Sequence, residues 1–219
     1  MTETMQKLAR FCAEQPLSPM RRLYLRIYST DDASNGAKAS QLTGSIEAYV
    51  HRFIEQHDGR LVGTINEKHL LGMGLLQHQY VLGDGAVRCG LFMAPAAKRS
   101  GASYALWTCF EDGTILHSTA LPQVVFPNTA RKTTLASTGD LEQDYARHIK
   151  LVEEMRHAGL QPLVFESIDE VQAFFLYFSG WVLPDSAAKT MLIMSAINVG
   201  RFLGLPLLML SYLYLVLSR

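Results

Sequence analysis

Seven histidines and three cysteines are the side chains in this sequence best suited to metal binding or covalent chemistry. A metal site needs ligands that converge. His51 and His57 are six residues apart and His148 and His157 nine apart, whereas two ligands share one helical face at i, i+3 or i+4. No metal site is expected from these pairs, and no cofactor motif is present. His69, His78 and His117 could meet only across a sheet.

Nucleophilic catalysis needs a serine or cysteine activated by a neighbouring base. The chain has no G-x-S-x-G, and Cys89 and Cys109 fall in expected strands, where a buried, inert thiol is the usual state. His78 and Cys89 could face each other across a turn at Gly83-Asp84-Gly85. With His117 they are the candidate catalytic residues of a Cys/His hydrolase or transferase. The glycine-containing stretches "GDGAVRCG" and "AKRSGAS" match neither the P-loop nor the dinucleotide fingerprint, so no nucleotide site is expected. Two basic pairs, Lys98-Arg99 and Arg131-Lys132, together with the net +3 of residues 1–28, could touch anionic lipid head groups, although ordinary solvated loop charge is the better explanation.

Bulk properties narrow the classes further. Twenty basic residues balance twenty acidic ones over 219 positions, so no long-range attraction to nucleic acid is implied and no nucleic-acid partner is expected. Cys12, Cys89 and Cys109 show no CxxC or Cys/His ligand spacing, and an odd count is a poor basis for a disulfide framework. Charges interrupt every apolar run of the first 28 residues, which therefore do not read as a secretory signal. The main domain is expected in the cytoplasm.

These residues must be positioned by an α+β fold, expected as a mostly antiparallel sheet with helices packed on one face and a C-terminal hydrophobic membrane helix. Residues 1–40 read as an N-terminal amphipathic segment and polar linker, 41–184 as the α+β domain and 185–219 as the membrane-associated helix. Within the first part, residues 4–14 suit a short helix with Leu8, Phe11 and Cys12 inward. "RRLYLRIYS" at 21–29 alternates like a half-buried strand, and "STDDASNGAKASQ" at 29–41 reads as a flexible connection.

Ile46, Tyr49, Val50, Phe53 and Ile54 then mark a helix over 45–59, closed by Gly59. "RLVGTINE" reads as a strand. Hairpins follow at Gly83-Asp84-Gly85 and at Asp112-Gly113, which makes the middle of the chain an antiparallel meander. A second helix over 140–159 carries Leu141, Tyr145, Ile149, Val152 and Met155 inward, and "QPLVFE" reads as a short strand. Ser167 and Glu170 form a capping box ahead of an aromatic helix over 171–183. The stretch "FEDGTILHSTALP", followed by "YARHIKLVEEM", resembles segments of uncharacterised bacterial proteins that pair such a sheet with an amphipathic helix; the resemblance implies no activity.

The closing stretch "RFLGLPLLMLSYLYLVLSR" carries most of the functional expectation. Sixteen uncharged residues run from Phe202 to Leu217, eight of them leucine, and cover roughly 24 Å as a helix against a hydrocarbon core of about 30 Å. The apolar run reaches back to Met191, interrupted by Asn198 and Arg201. Arg201 belongs near the interface, because a guanidinium at the bilayer centre costs at least ~2.5–3.5 kcal/mol. Arg201, Phe202, Leu203, Leu205, Leu207, Leu208, Leu210, Leu213, Leu215 and Leu217 are the expected membrane-associated residues. Pro206 leaves open whether the segment spans the bilayer or lies in one leaflet.

The function expected is a cytoplasmic binding or scaffold module anchored to the inner membrane, with the lipid bilayer and a protein partner or second copy as its partners. Phe174, Phe175, Tyr177, Phe178 and Trp181, too many to face one core, would supply the contact surface. The rivals are the membrane-associated Cys/His enzyme and a toxin or defence effector acting through its tail.

Overall fold

A computed structural model of the chain describes residues 1–35, 48–68, 74–83, 91–93, 104–119, 128–193 and 196. The expected meander is present as one sheet. Strands β1 (Ser29–Asp32), β2 (Arg60–Lys68), β3 (Gly74–Val81), β4 (Leu91–Met93), β5 (Ala105–Cys109) and β6 (Ile115–Thr119) pair antiparallel in chain order. A seventh strand, β7 (Lys132–Ala136), joins β6 in parallel. The β5–β6 turn runs through Asp112-Gly113, where Gly113 has φ 82°, a region L-residues rarely occupy. A Cβ at Gly113 would stand 2.6 Å from the Tyr177 hydroxyl, which donates to the Gly113 carbonyl at 2.7 Å.

Among the described residues the helices are α1 (Glu3–Glu14), α2 (Pro19–Leu25), α3 (Ala48–Gln56), α4 (Leu141–His157) and α5 (Ile168–Tyr177), the last running into a π-helical turn, Phe178–Val182, followed by a helical run over 185–193. Asp140 caps α4 by accepting from Gln143 N at 3.0 Å, and Gly159 at φ 94° ends it. The Ser167–Glu170 capping box forms as expected. Its Glu170 also accepts from the Thr2 hydroxyl and from Glu166 N at 2.6 Å, tying the first residues of the chain to the start of α5.

The α+β class stands, but the helices cover both faces of the sheet rather than one. On β5 and β6 the side chains alternate: Trp107, Cys109 and Ile115 join a core with Leu8, Phe11, Phe165 and Phe174, while Leu106 and Leu116 join one with Val50, Phe53, Tyr145 and Val152. Every residue of β6 is buried, as a strand sandwiched between two helical layers requires.

Other local expectations change with this architecture. "RRLYLRIYS" begins as helix α2, not as a strand: Ser18 caps it, accepting from Arg21 N at 3.2 Å, and Pro19 opens its first turn. Residues 29–32 of the expected linker are instead the edge strand β1; residues 36–47 lie outside the described set. Within the expected N-terminal segment, Leu8 and Phe11 of α1 share a core with Trp107 and Phe174. "QPLVFE" makes only an isolated bridge, Phe110 with Pro162.

Candidate functional site

The catalytic candidates do not converge. His78 points to the α3 side of the sheet, where its Nδ1 is 2.7 Å from Thr64 Oγ1; burial, followed by the charge of His51, lowers its pKa. His117 points to the α5 side, stacked on Trp107 with ring centroids 3.6 Å apart. The sheet stands between the two imidazoles, so they cannot serve one reacting atom. Burial, with Lys132 and His148 adding to it, keeps His117 neutral. Cys89 lies outside the described residues.

The remaining cysteine chemistry is muted. Cys109 is fully buried and burial pushes its thiol up, while that of half-buried Cys12 is pushed up to about 11. A thiolate is the nucleophilic form, so neither residue is poised to react. Among the described residues no group of three or more His, Cys, Asp or Glu side chains could hold a metal ion.

A polar relay that sequence reading missed lies beneath α4. His148 is buried between two strands, with Nε2 2.9 Å from Thr108 Oγ1 and Nδ1 2.8 Å from Ser118 Oγ. A neutral imidazole carries one donor and one acceptor, and a hydroxyl can answer either; burial pushes its pKa down to about 3. The Ser–His contact resembles half of a hydrolytic triad in composition only, because no solvent or substrate reaches it. Its role is to satisfy polar groups where α4 crosses β5 and β6. The period of α4 was a usable signal: His148 lies three residues after Tyr145 and four before Val152, on the expected inner face.

Nearby, Asp144 anchors the turn before α4, accepting from Tyr104 Oη at 2.6 Å, Thr138 N at 2.8 Å and Ser137 Oγ. Burial opposes its charge, but these hydrogen bonds outweigh burial and hold its pKa below the usual range.

The proposed aromatic contact surface is a core instead. Phe174, Phe175, Tyr177 and Phe178 are buried, and Phe174, Phe175 and Phe178 each meet Trp107 in a T-shaped contact. Trp181 is half-buried and donates to the Gln15 carbonyl at 2.9 Å. One core accommodates these rings because α1, through Leu8 and Phe11, and the sheet, through Ile65, Cys109 and Ile115, enclose them from two sides. Of the basic pairs, Lys132 is buried, its ammonium 2.8 Å from Thr134 Oγ1 and its pKa lowered by burial to about 8. Arg131 pairs with Glu14 and donates to Tyr177 Oη at 3.3 Å. Lys98 and Arg99 lie outside the described residues.

The surface left with unspent chemistry is at α2 and the helical run 185–193. That run packs on α2: Ala188, Met191 and Leu192 meet Tyr24, Tyr28, Met20, Leu25 and Ile27. Asp185 at its start accepts from Ser18 Oγ at 2.9 Å and pairs with Arg21 Nε at 2.7 Å. Beneath the contact, burial pushes the Tyr24 and Tyr28 phenols up, the charge of Glu67 adds to the shift, and hydrogen bonds with Ser179 oppose it. The membrane-associated residues expected from Arg201 to Leu217 lie outside the described set; no described helix is long and apolar enough to cross a membrane. No protein-family model matches the chain, and no curated protein and no solved structure matches it either.

Proposed function

We propose that the chain is a protein-binding module held at the bacterial inner membrane by the apolar segment 202–217, with its α+β domain on the cytoplasmic side. The observation that carries this reading is the docked root of the segment: residues 185–193 are helical and seated on α2 through Ala188, Met191, Leu192 and the Asp185 contacts. A run fixed in this way holds the domain close to whatever takes up the sixteen uncharged residues that follow Arg201. Hydrocarbon is the environment that suits them, since a soluble helix carries polar residues along one face. Lys189 and Arg201 precede the segment, in keeping with a cytoplasmic domain.

The protein partner is assigned to the concavity between α3 and the start of α4, lined by Tyr49, Arg52, Gln56, Asp140 and Glu142. Tyr49 is 37% exposed there, and an aromatic ring beside an arginine is the usual composition of a contact hot spot.

Cell fractionation of the full chain and of a chain ending at Gly200, with the membranes washed in alkaline carbonate, tests the anchor. The cut belongs after the run 185–193 because an earlier one would strip Ala188 from Tyr24 and Tyr28. The full chain should resist the wash and the shortened chain should be soluble. A full chain that remains soluble and unaggregated would overturn the anchor.

A further inference from the structure

We propose that the outer face of α2 is a docking surface for an anionic bilayer, laying the domain against the membrane that takes up segment 202–217. The inference rests on the membrane reading above and gives it an orientation. Pro19, Arg22, Leu23 and Arg26 stand at i, i+3, i+4 and i+7, share one shallow concavity and are all exposed. Leu23 is 49% exposed, an apolar side chain between two guanidiniums.

Arg21, on the neighbouring side of the helix, is held by Asp185. Among the described residues, Arg22 and Arg26 enter no ion pair. A helix with an apolar side chain flanked by arginines on its open face has the chemistry of an interfacial helix: guanidiniums at lipid phosphates, leucine among the upper acyl carbons. Charge complementarity therefore selects anionic lipid over a neutral surface.

Chain length places this face within reach. The other side of α2 carries the helical run 185–193, whose last residue, Ile193, is also 49% exposed, with Lys189 exposed one turn earlier. From Ile193 to Phe202 the chain spans at most about 30 Å even fully extended. If segment 202–217 is in lipid, Ile193, at the end of the run packed on α2, is tethered within that distance of the head groups. Two arginines near an anionic surface favour contact by about 30-fold together.

Amide exchange of the full chain decides the matter, measured in vesicles of phosphatidylcholine alone and in vesicles containing about one third phosphatidylglycerol. Segment 202–217 should be protected in both. Amides of 21–26 should exchange at least about tenfold more slowly in the anionic vesicles, and the double variant R22E/R26E should lose that slowing while α4 exchanges as before. If 202–217 is protected but 21–26 exchanges alike in both lipids, the docking surface is refuted and the anchor survives. If 202–217 exchanges freely in both, the anchor fails, and slowing of 21–26 by anionic lipid still judges the docking surface by itself.

Discussion

Lowering the pH from 7 to 5 should destabilise the protein through His148, and the size of the effect follows from where that residue sits. Its ring is enclosed by Thr108 and Ser118, and its pKa in the folded protein is pushed down to about 3; unfolded, it returns to about 6.5. A lowered folded pKa means that the unfolded chain takes up the proton first. The stabilisation is therefore complete above about pH 6.5 and is lost as pH falls towards 3. Between pH 7 and 5 the loss is about 2 kcal/mol, out of a total stability of roughly 5–15 kcal/mol for an ordinary domain.

Burial lowers the pKa of His117 and of His78 as well, so the wild type should lose more than the share due to His148. The informative comparison is with His148→Gln, which keeps a donor and an acceptor for the two hydroxyls but cannot be protonated. Urea unfolding of both proteins in the same nonionic detergent, followed by circular dichroism at pH 7 and 5, gives the four free energies. The variant should be less stable at pH 7, yet lose about 2 kcal/mol less than the wild type on acidification. Equal losses within about 0.5 kcal/mol would refute the reasoning: the ring would then be reachable by water, and the relay could no longer be read as purely structural.

Two further outcomes test the reassignment of the candidate residues. Phe174→Ala removes a ring that is completely buried between Phe165, Phe175 and Trp107, and thermal unfolding should report a loss of about 3–5 kcal/mol; a loss within about 0.5 kcal/mol would return the ring to the surface. In a chain with Cys89 replaced by serine, a thiol reagent at pH 8 should leave Cys109 unmodified until urea unfolds the protein, with Cys12 reacting slowly. Rapid native labelling of Cys109 would reopen the cysteine-enzyme reading.

Where local chemistry is strong, the sequence is readable residue by residue. Ser167 and Glu170 are the two halves of a capping box whatever surrounds them, and the box forms. Gly113 and Gly159 take the left-handed backbone that ends a turn and a helix. The stripe Leu141, Tyr145 and Val152 is buried on α4 as its spacing requires. For α2, two local signals compete. The alternation of Leu23, Leu25 and Ile27 suggests a strand, but Ser18-Pro19 is a helix start, and its cap, together with burial of Tyr24 and Tyr28 against the run 185–193, prevails.

The site candidates failed for a different reason. His78 and His117 fall on opposite sides of the sheet because each is placed by the register of its own strand, and register is a property of paired strands rather than of either alone. Likewise, β7 is spelled KTTLA, with Lys132 and Thr134 buried; its polar inner residues are accommodated by contacts made across the fold, among them those of the lysine with Thr134 and with the ring of Phe178.

By itself the sequence determined the helical periods of α1, α3 and α4, the Ser167–Glu170 capping box, the turn at Asp112-Gly113 and the uncharged run from Phe202 to Leu217, since each depends on residues close together along the chain. The tertiary structure decided which side chains are inside. It put helices on both faces of the sheet, took the aromatic set around Phe174 into the core, closed His148 between two hydroxyls and left Arg22, Leu23 and Arg26 on the open side of α2. Burial and pairing are set by contacts between residues far apart in the chain, and no window of the sequence contains both partners.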